Sequence, residues 1–122
     1  MDKFIQTITA AICGIFGFLY GKADGLIYAL LAFIILDYVT GLTVACINKN
    51  LSSEVGFKGI AKKVVILLLV AVGNMLDIYI LGDGAVCRST VIGFYLANEG
   101  ISILENAGNL GIPLPKKLVS VL

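Results

Sequence analysis

The stretch LIYALLAFIILDYVTGLTVACI, residues 26–47, decides the fold, because it is apolar along its whole length and Asp37 is its one charged side chain. A helix needs about 20 mostly apolar residues to cross the hydrocarbon of a bilayer, and this run meets that requirement. Three more apolar runs surround it, at 4–20, 64–81 and 85–104. The last two carry polar interruptions, and the first sits at the short end of a spanning range of about 17–25 residues.

The rest of the chain shares the bias. Of its 122 residues 59% are hydrophobic and 14% charged, and mean hydropathy is +1.01. Soluble domains are about half apolar and about a quarter charged, and a chain this small keeps much of its surface exposed. Lipid is the solvent that accommodates such a surface. The expected fold is therefore an all-α integral membrane protein, one domain over residues 1–122, with helices near 4–20, 26–47, 53–81 and 85–110.

Polar punctuation separates the runs. Gly21-Lys22-Ala23-Asp24-Gly25 and Gly82-Asp83-Gly84 read as tight turns rich in residues that tolerate positive φ. Ser52 or Ser53 is placed to cap the third helix. Gly111-Ile112-Pro113-Leu114-Pro115 must end the fourth, since proline cannot continue the hydrogen-bond ladder.

Four spans put Lys3, Lys49, Lys58, Lys62, Lys63, Lys116 and Lys117 on one side, and Lys22 and Arg88 on the other. Basic residues collect on the cytoplasmic side, so both termini are expected there. Lys58, Lys62, Lys63, Lys116 and Lys117 then read as cytoplasmic anchors.

The first segment supports two readings. Phe4, Ile5, Ile8, Ile12, Ile15, Phe16 and Leu19 fall within an arc of about 120°. Gln6, Ala10, Cys13, Gly14, Gly17 and Gly21 lie opposite. The helix either spans and packs through Gly14, Gly17 and Gly21, or lies flat at the interface and leaves three spans. Glycine and alanine suit close helix packing better than water, which favours the spanning reading. A cleaved signal peptide fits poorly, because no small-residue cleavage site follows the run.

Several chemistries lack their parts. The chain has no histidine, and Cys13, Cys46 and Cys87 are scattered through apolar sequence without a CxxC pair. Metal ligation, a disulfide framework and histidine-based catalysis are not expected. No enzyme or cofactor is called for, and a net charge of +1 gives no reason to expect a nucleic-acid partner.

The informative residues are polar ones inside apolar runs, since a charge at the bilayer centre costs about 2.5–3.5 kcal/mol on insertion scales. Asp37 and Asn74 read as polar groups near the midplane. With no basic residue expected at its depth, Asp37 reads as neutral at rest and hydrogen-bonded to Asn74 or Asn98. Asp77 and Arg88 flank the Gly82–Gly84 turn at similar depth and are expected to form an intramembrane ion pair, the alternative being that each snorkels to the interface. In the fourth helix, Arg88, Tyr95, Asn98, Glu99, Ser102, Glu105, Asn106 and Asn109 share an arc of about 120°. That stripe is either a polar seam between helices or a wall facing water in an assembled pore.

Asn98-Glu99-Gly100-Ile101-Ser102-Ile103-Leu104-Glu105-Asn106, followed by Leu110-Gly111-Ile112-Pro113-Leu114-Pro115-Lys116-Lys117, resembles the closing signature of a phage holin family that includes clostridial toxin-secretion holins. Asp37 with Thr40-Gly41, and Gly59-Ile60-Ala61-Lys62-Lys63, also resemble its pattern. The resemblance covers nearly the whole chain. It implies a protein that oligomerises in the bacterial cytoplasmic membrane and opens lesions releasing an endolysin or a large toxin, without stable binding to either. The family positions it carries over are Asp37, Lys62, Lys63, Asn98, Glu99, Ser102, Glu105 and Asn106. Two other classes compete: a narrow ion channel or proton-linked transporter using Asp37, Asp77 and Glu99, and a non-conducting membrane scaffold.

Overall fold

A computed structural model describes residues 2–82 and 84–121 of the chain. Asp83, in the expected Gly82–Gly84 turn, lies outside the described residues. Four long helices run back and forth: α1 (Asp2–Tyr20), α2 (Gly25–Ile47), α3 (Ser53–Met75) and α4 (Val86–Asn109). A π-helical segment, Leu76–Leu81, prolongs α3, and a short α5 (Lys116–Val121) follows the Pro113–Pro115 turn. No strand occurs among the described residues.

The ends follow from local chemistry. Asp24 caps α2 by accepting the Ile27 N–H at 3.1 Å, and Ser52 caps α3 by accepting the Val55 N–H at 3.2 Å. Gly21 ends α1 in a left-handed conformation (φ 75°) that side chains disfavour, and its N–H bonds the Gly17 carbonyl at 2.9 Å.

Three helices are long and apolar enough to cross a membrane: Asp2–Tyr20, Gly25–Ile47 and Ser53–Leu81. Helix α4, at 24 residues, has comparable length but is less apolar because of its polar stripe. It lies between α2 and α3, while α1 touches mainly α3. The apolar core is small, comprising Ile27, Leu30 and Ile34 of α2, Val70 of α3 and Ile92 of α4. The outward surface is the opposite of a soluble protein's. Ile35, Leu36 and Val39 of α2 and Val64, Val65, Leu68 and Val72 of α3 are all exposed, as lipid-facing residues should be.

Candidate functional site

Polar side chains inside the bundle gather at two levels. The first lies at the end where α1, the π-helical segment and the starts of α2 and α4 converge. Here the expected Asp77–Arg88 ion pair is replaced by two separate arrangements. Asp77 accepts the backbone N–H groups of Cys87 and Arg88, each at 2.8 Å. Both belong to the first turn of α4, where N–H groups have no partner within the helix and the dipole favours an anion. Ala85, at the N-cap, makes no side-chain cap bond, so Asp77 caps α4 from another helix.

The Arg88 guanidinium turns the other way. It pairs with Asp24 (Nη1 to Oδ2, 2.9 Å; Nη2 to Oδ1, 3.2 Å) and donates to the carbonyls of Tyr20 at 2.7 Å and Lys22 at 3.0 Å. Asn74 donates to the carbonyls of Leu19 at 3.0 Å and Phe18 at 3.4 Å. Asn74 therefore sits at the end of α1 and not at the midplane. The last-turn carbonyls of α1, orphaned by the helix end, are satisfied by α3 and α4. Arg88 holds the Asp24 carboxyl below its ordinary value of 3.8, mainly through the hydrogen bond to it.

The second level lies deeper, and Lys63 is its centre. Its ammonium contacts Asp37 Oδ2 of α2 and both carboxylate oxygens of Glu99 of α4, at 2.8 and 2.6 Å. The side chains of Lys63, Asp37 and Glu99 are 19%, 11% and 5% exposed, so this is a partly desolvated triad joining three helices. Asn106 donates to Asp37 Oδ1 at 3.2 Å and to the Thr40 hydroxyl at 2.9 Å. The Tyr38 hydroxyl donates to the Gly56 carbonyl at 3.2 Å.

Two expectations fail at this level. Lys63 is not an exposed anchor, although Lys58, Lys62, Lys116 and Lys117 are exposed. Asp37 does have a cation at its depth, and its amide partner is Asn106, not Asn74 or Asn98. The periodicity of α3 carried the missed signal. Counting three, seven, eleven and fourteen residues on from Lys63 reaches Ile66, Val70, Asn74 and Asp77, the inward face of one helix.

The stripe on α4 divides in two. Arg88 and Glu99 are buried, Tyr95, Ser102 and Asn106 are half-buried, and Asn98, Glu105 and Asn109 are exposed. One edge is thus a seam within the bundle and the other faces outward. Among the described residues, no buried side-chain polar atom lacks a partner.

The glycines also sort differently from expectation. A Cβ at Gly14 or Gly17 would meet nothing within 4 Å, so these residues pack against nothing inside one copy. Gly21 acts as the terminator of α1, where a Cβ would lie 2.8 Å from Asn74 Oδ1. Two close approaches were not foreseen. A Cβ at Gly73 would lie 3.1 Å from the Cys87 carbonyl oxygen, and one at Gly59 would lie 3.1 Å from the Tyr38 ring. The backbone of α3 can approach the start of α4 because position 73 lacks a side chain.

A family model described as the bacteriophage holin family matches residues 14–122. An uncharacterised protein of Listeria monocytogenes is 48% identical over 108 residues, covering 88% of this chain and 76% of the relative. An uncharacterised protein of Clostridium perfringens is 43% identical over 125 aligned positions, covering 100% and 95%. A protein of Bacillus phage phi105 named a probable holin is 37% identical over 81 residues, covering 66% and 59%. No solved structure matches the chain.

Proposed function

The chain belongs to the bacteriophage holin family, and on that premise we propose that it accumulates in the bacterial cytoplasmic membrane, assembles with copies of itself, and opens lesions that release an endolysin or a large toxin. Family membership points to a non-enzymatic membrane protein. The single observation that carries the finer reading is the outward edge of α4. Asn98, Glu105 and Asn109 are exposed on a helix whose neighbouring surface is apolar. Exposed to hydrocarbon, each is costly, so these residues favour contact with water or with another copy.

Many copies can build a hydrophilic wall that one copy cannot. Helix α4 has the form this needs, with apolar sides for lipid and neighbours and a polar edge for the lumen. Gly14 and Gly17, unpacked within one copy, offer a close-approach surface between copies. Orientation follows from charge. Lys3, Lys49, Lys58, Lys62, Lys116 and Lys117 are all exposed and lie on the side of the α2–α3 loop. The opposite end has Lys22 and an Arg88 already paired with Asp24. Both termini therefore face the cytoplasm.

The test is expression in a bacterium together with a cytosolic reporter enzyme, following membrane accumulation and reporter activity in the medium. Escape of the folded reporter after abrupt loss of viability is expected. Ion leakage without protein escape would indicate a narrow channel, and accumulation without either would indicate a scaffold; both outcomes defeat the proposal.

A further inference from the structure

The apolar core and the Lys63 triad occupy different halves of the bundle. Ile27, Leu30, Ile34, Val70 and Ile92 all lie on the Gly21 side of the triad. On the other side, toward the loop joining α2 to α3, burial stops. The last buried residue of α2 is Ile34, the first of α3 is Val70, and the last of α4 are Glu99 and Gly100. Side-chain hydrogen bonds and ion pairs tie the loop-side halves of the three helices. They are Lys63 with Asp37 and Glu99, Asn106 with Asp37 and Thr40, and Tyr38 with the Gly56 carbonyl.

A cleft of about 260 Å³ opens beside these contacts, lined among others by Leu42, Gly59, Lys63, Ser102 and Glu105. Its walls are mixed, with polar groups beside Leu42 and Val55, and it has room for several waters, each of which occupies about 30 Å³ in the liquid.

We infer that Lys63 is a displaceable latch: its ammonium holds the loop-side halves of α2, α3 and α4 together through Asp37 and Glu99, and its release lets α4 turn its seam toward water shared between copies. This rests on the holin reading above. An ion pair shut away from water is held strongly, whereas the same pair exposed to water contributes only about 0–1 kcal/mol. Wetting the cleft therefore weakens the charged contact that joins α2, α3 and α4. The other end of α4 stays fixed, because Asp77 caps it and Arg88 ties it to α1 and Asp24. Helix α4 consequently opens about its first turn. Lys63, once withdrawn, leaves the Asp37 and Glu99 carboxyl groups without their cation, and such groups favour water over hydrocarbon.

Two variants test the latch. In a chain with Cys13, Cys46 and Cys87 replaced by alanine, Leu42→Cys and Ser102→Cys put thiols on α2 and α4 across the cleft. Linking them with a short, reducible bis-thiol reagent should abolish reporter escape, and reductant should restore it. Undiminished escape from fully linked protein overturns the latch and leaves the holin reading standing. No escape from the native chain at full accumulation overturns the holin reading itself.

Lys63→Met supplies the second arm and decides the matter if the cysteine pair is inactive before linking. At matched membrane copy number it should release the reporter at a several-fold lower copy number than the native chain. An unchanged or raised threshold overturns the latch. Failure of Lys63→Met to accumulate leaves the linked pair as the deciding measurement.

Discussion

Asp77 meets Arg88 at its backbone: Oδ2 accepts the Arg88 N–H at 2.8 Å, while the Arg88 guanidinium reaches Asp24 on the far side of the α1–α2 turn. Two charges expected to neutralise each other instead serve different helix ends. The distinction matters for mutagenesis, because swapping the charges cannot preserve either role.

Asp77→Ala should destabilise the protein by about 0.5–2 kcal/mol, the usual loss of an N-cap. Asp77→Asn, which keeps an acceptor, should lose less. The double reversal Asp77→Arg/Arg88→Asp should not restore the membrane accumulation that either reversal loses. Immunoblots of membrane fractions give the answer, and rescue by the double reversal would revive the direct ion pair.

Acid should weaken the α1–α2 turn. The folded-state carboxyl of Asp24 titrates below its ordinary value of 3.8, so its contribution is fully present above that value and fades as pH falls below it. The melting temperature in detergent, compared between the native chain and Asp24→Asn, should differ at pH 7 and converge as pH is lowered below 3.8. A gap that persists at low pH would mean that Asp24 acts through something other than its charge.

Gly73→Ala should cost about 1–3 kcal/mol, the usual range for overpacking, because its Cβ would press on the backbone of Cys87 and Arg88 at 3.1–3.2 Å. Gly93→Ala is the control, since a Cβ there meets nothing within 4 Å and helix propensity favours alanine. Thermal melts of the two variants in the same detergent should move in opposite directions. Equal melts would remove the close approach of α3 to α4.

Asn98→Leu/Glu105→Leu removes two outward polar groups without touching the triad. Insertion should be unchanged or improved, since each replaced group is costly in lipid. Reporter escape at matched accumulation should be delayed or lost. Normal escape would take the outward edge of α4 out of the lesion wall.

The four long helices were readable from the sequence because apolar length marks them, and three of them are apolar enough to span a membrane. The run 26–47 became α2 with its start moved by one residue, to Gly25, and Ser52 proved to be the cap of α3. Partner choice was less readable. Lys63 stands next to Lys62 in the sequence, but one step along a helix turns the side chain by about 100°. One of the two therefore faces out and the other meets two carboxylates. Asp24 was placed in a turn on composition alone, and its pairing with Arg88, 64 residues away, depends on how α4 returns past α1. The division of the α4 stripe likewise follows from which helices flank α4, which a one-helix projection does not contain.

The last turn of α1 has its carbonyls held by Asn74 and Arg88. Helix α1 is synthesised before α3 and α4, so it finds these fastenings only after both have been made. Asn74 of α3 supplies the earlier fastening and Arg88 of α4 the later one. Nascent chains halted before Arg88 should show fast amide exchange at Gly21, whose N–H bonds the Gly17 carbonyl, and chains halted after α4 should show slower exchange there.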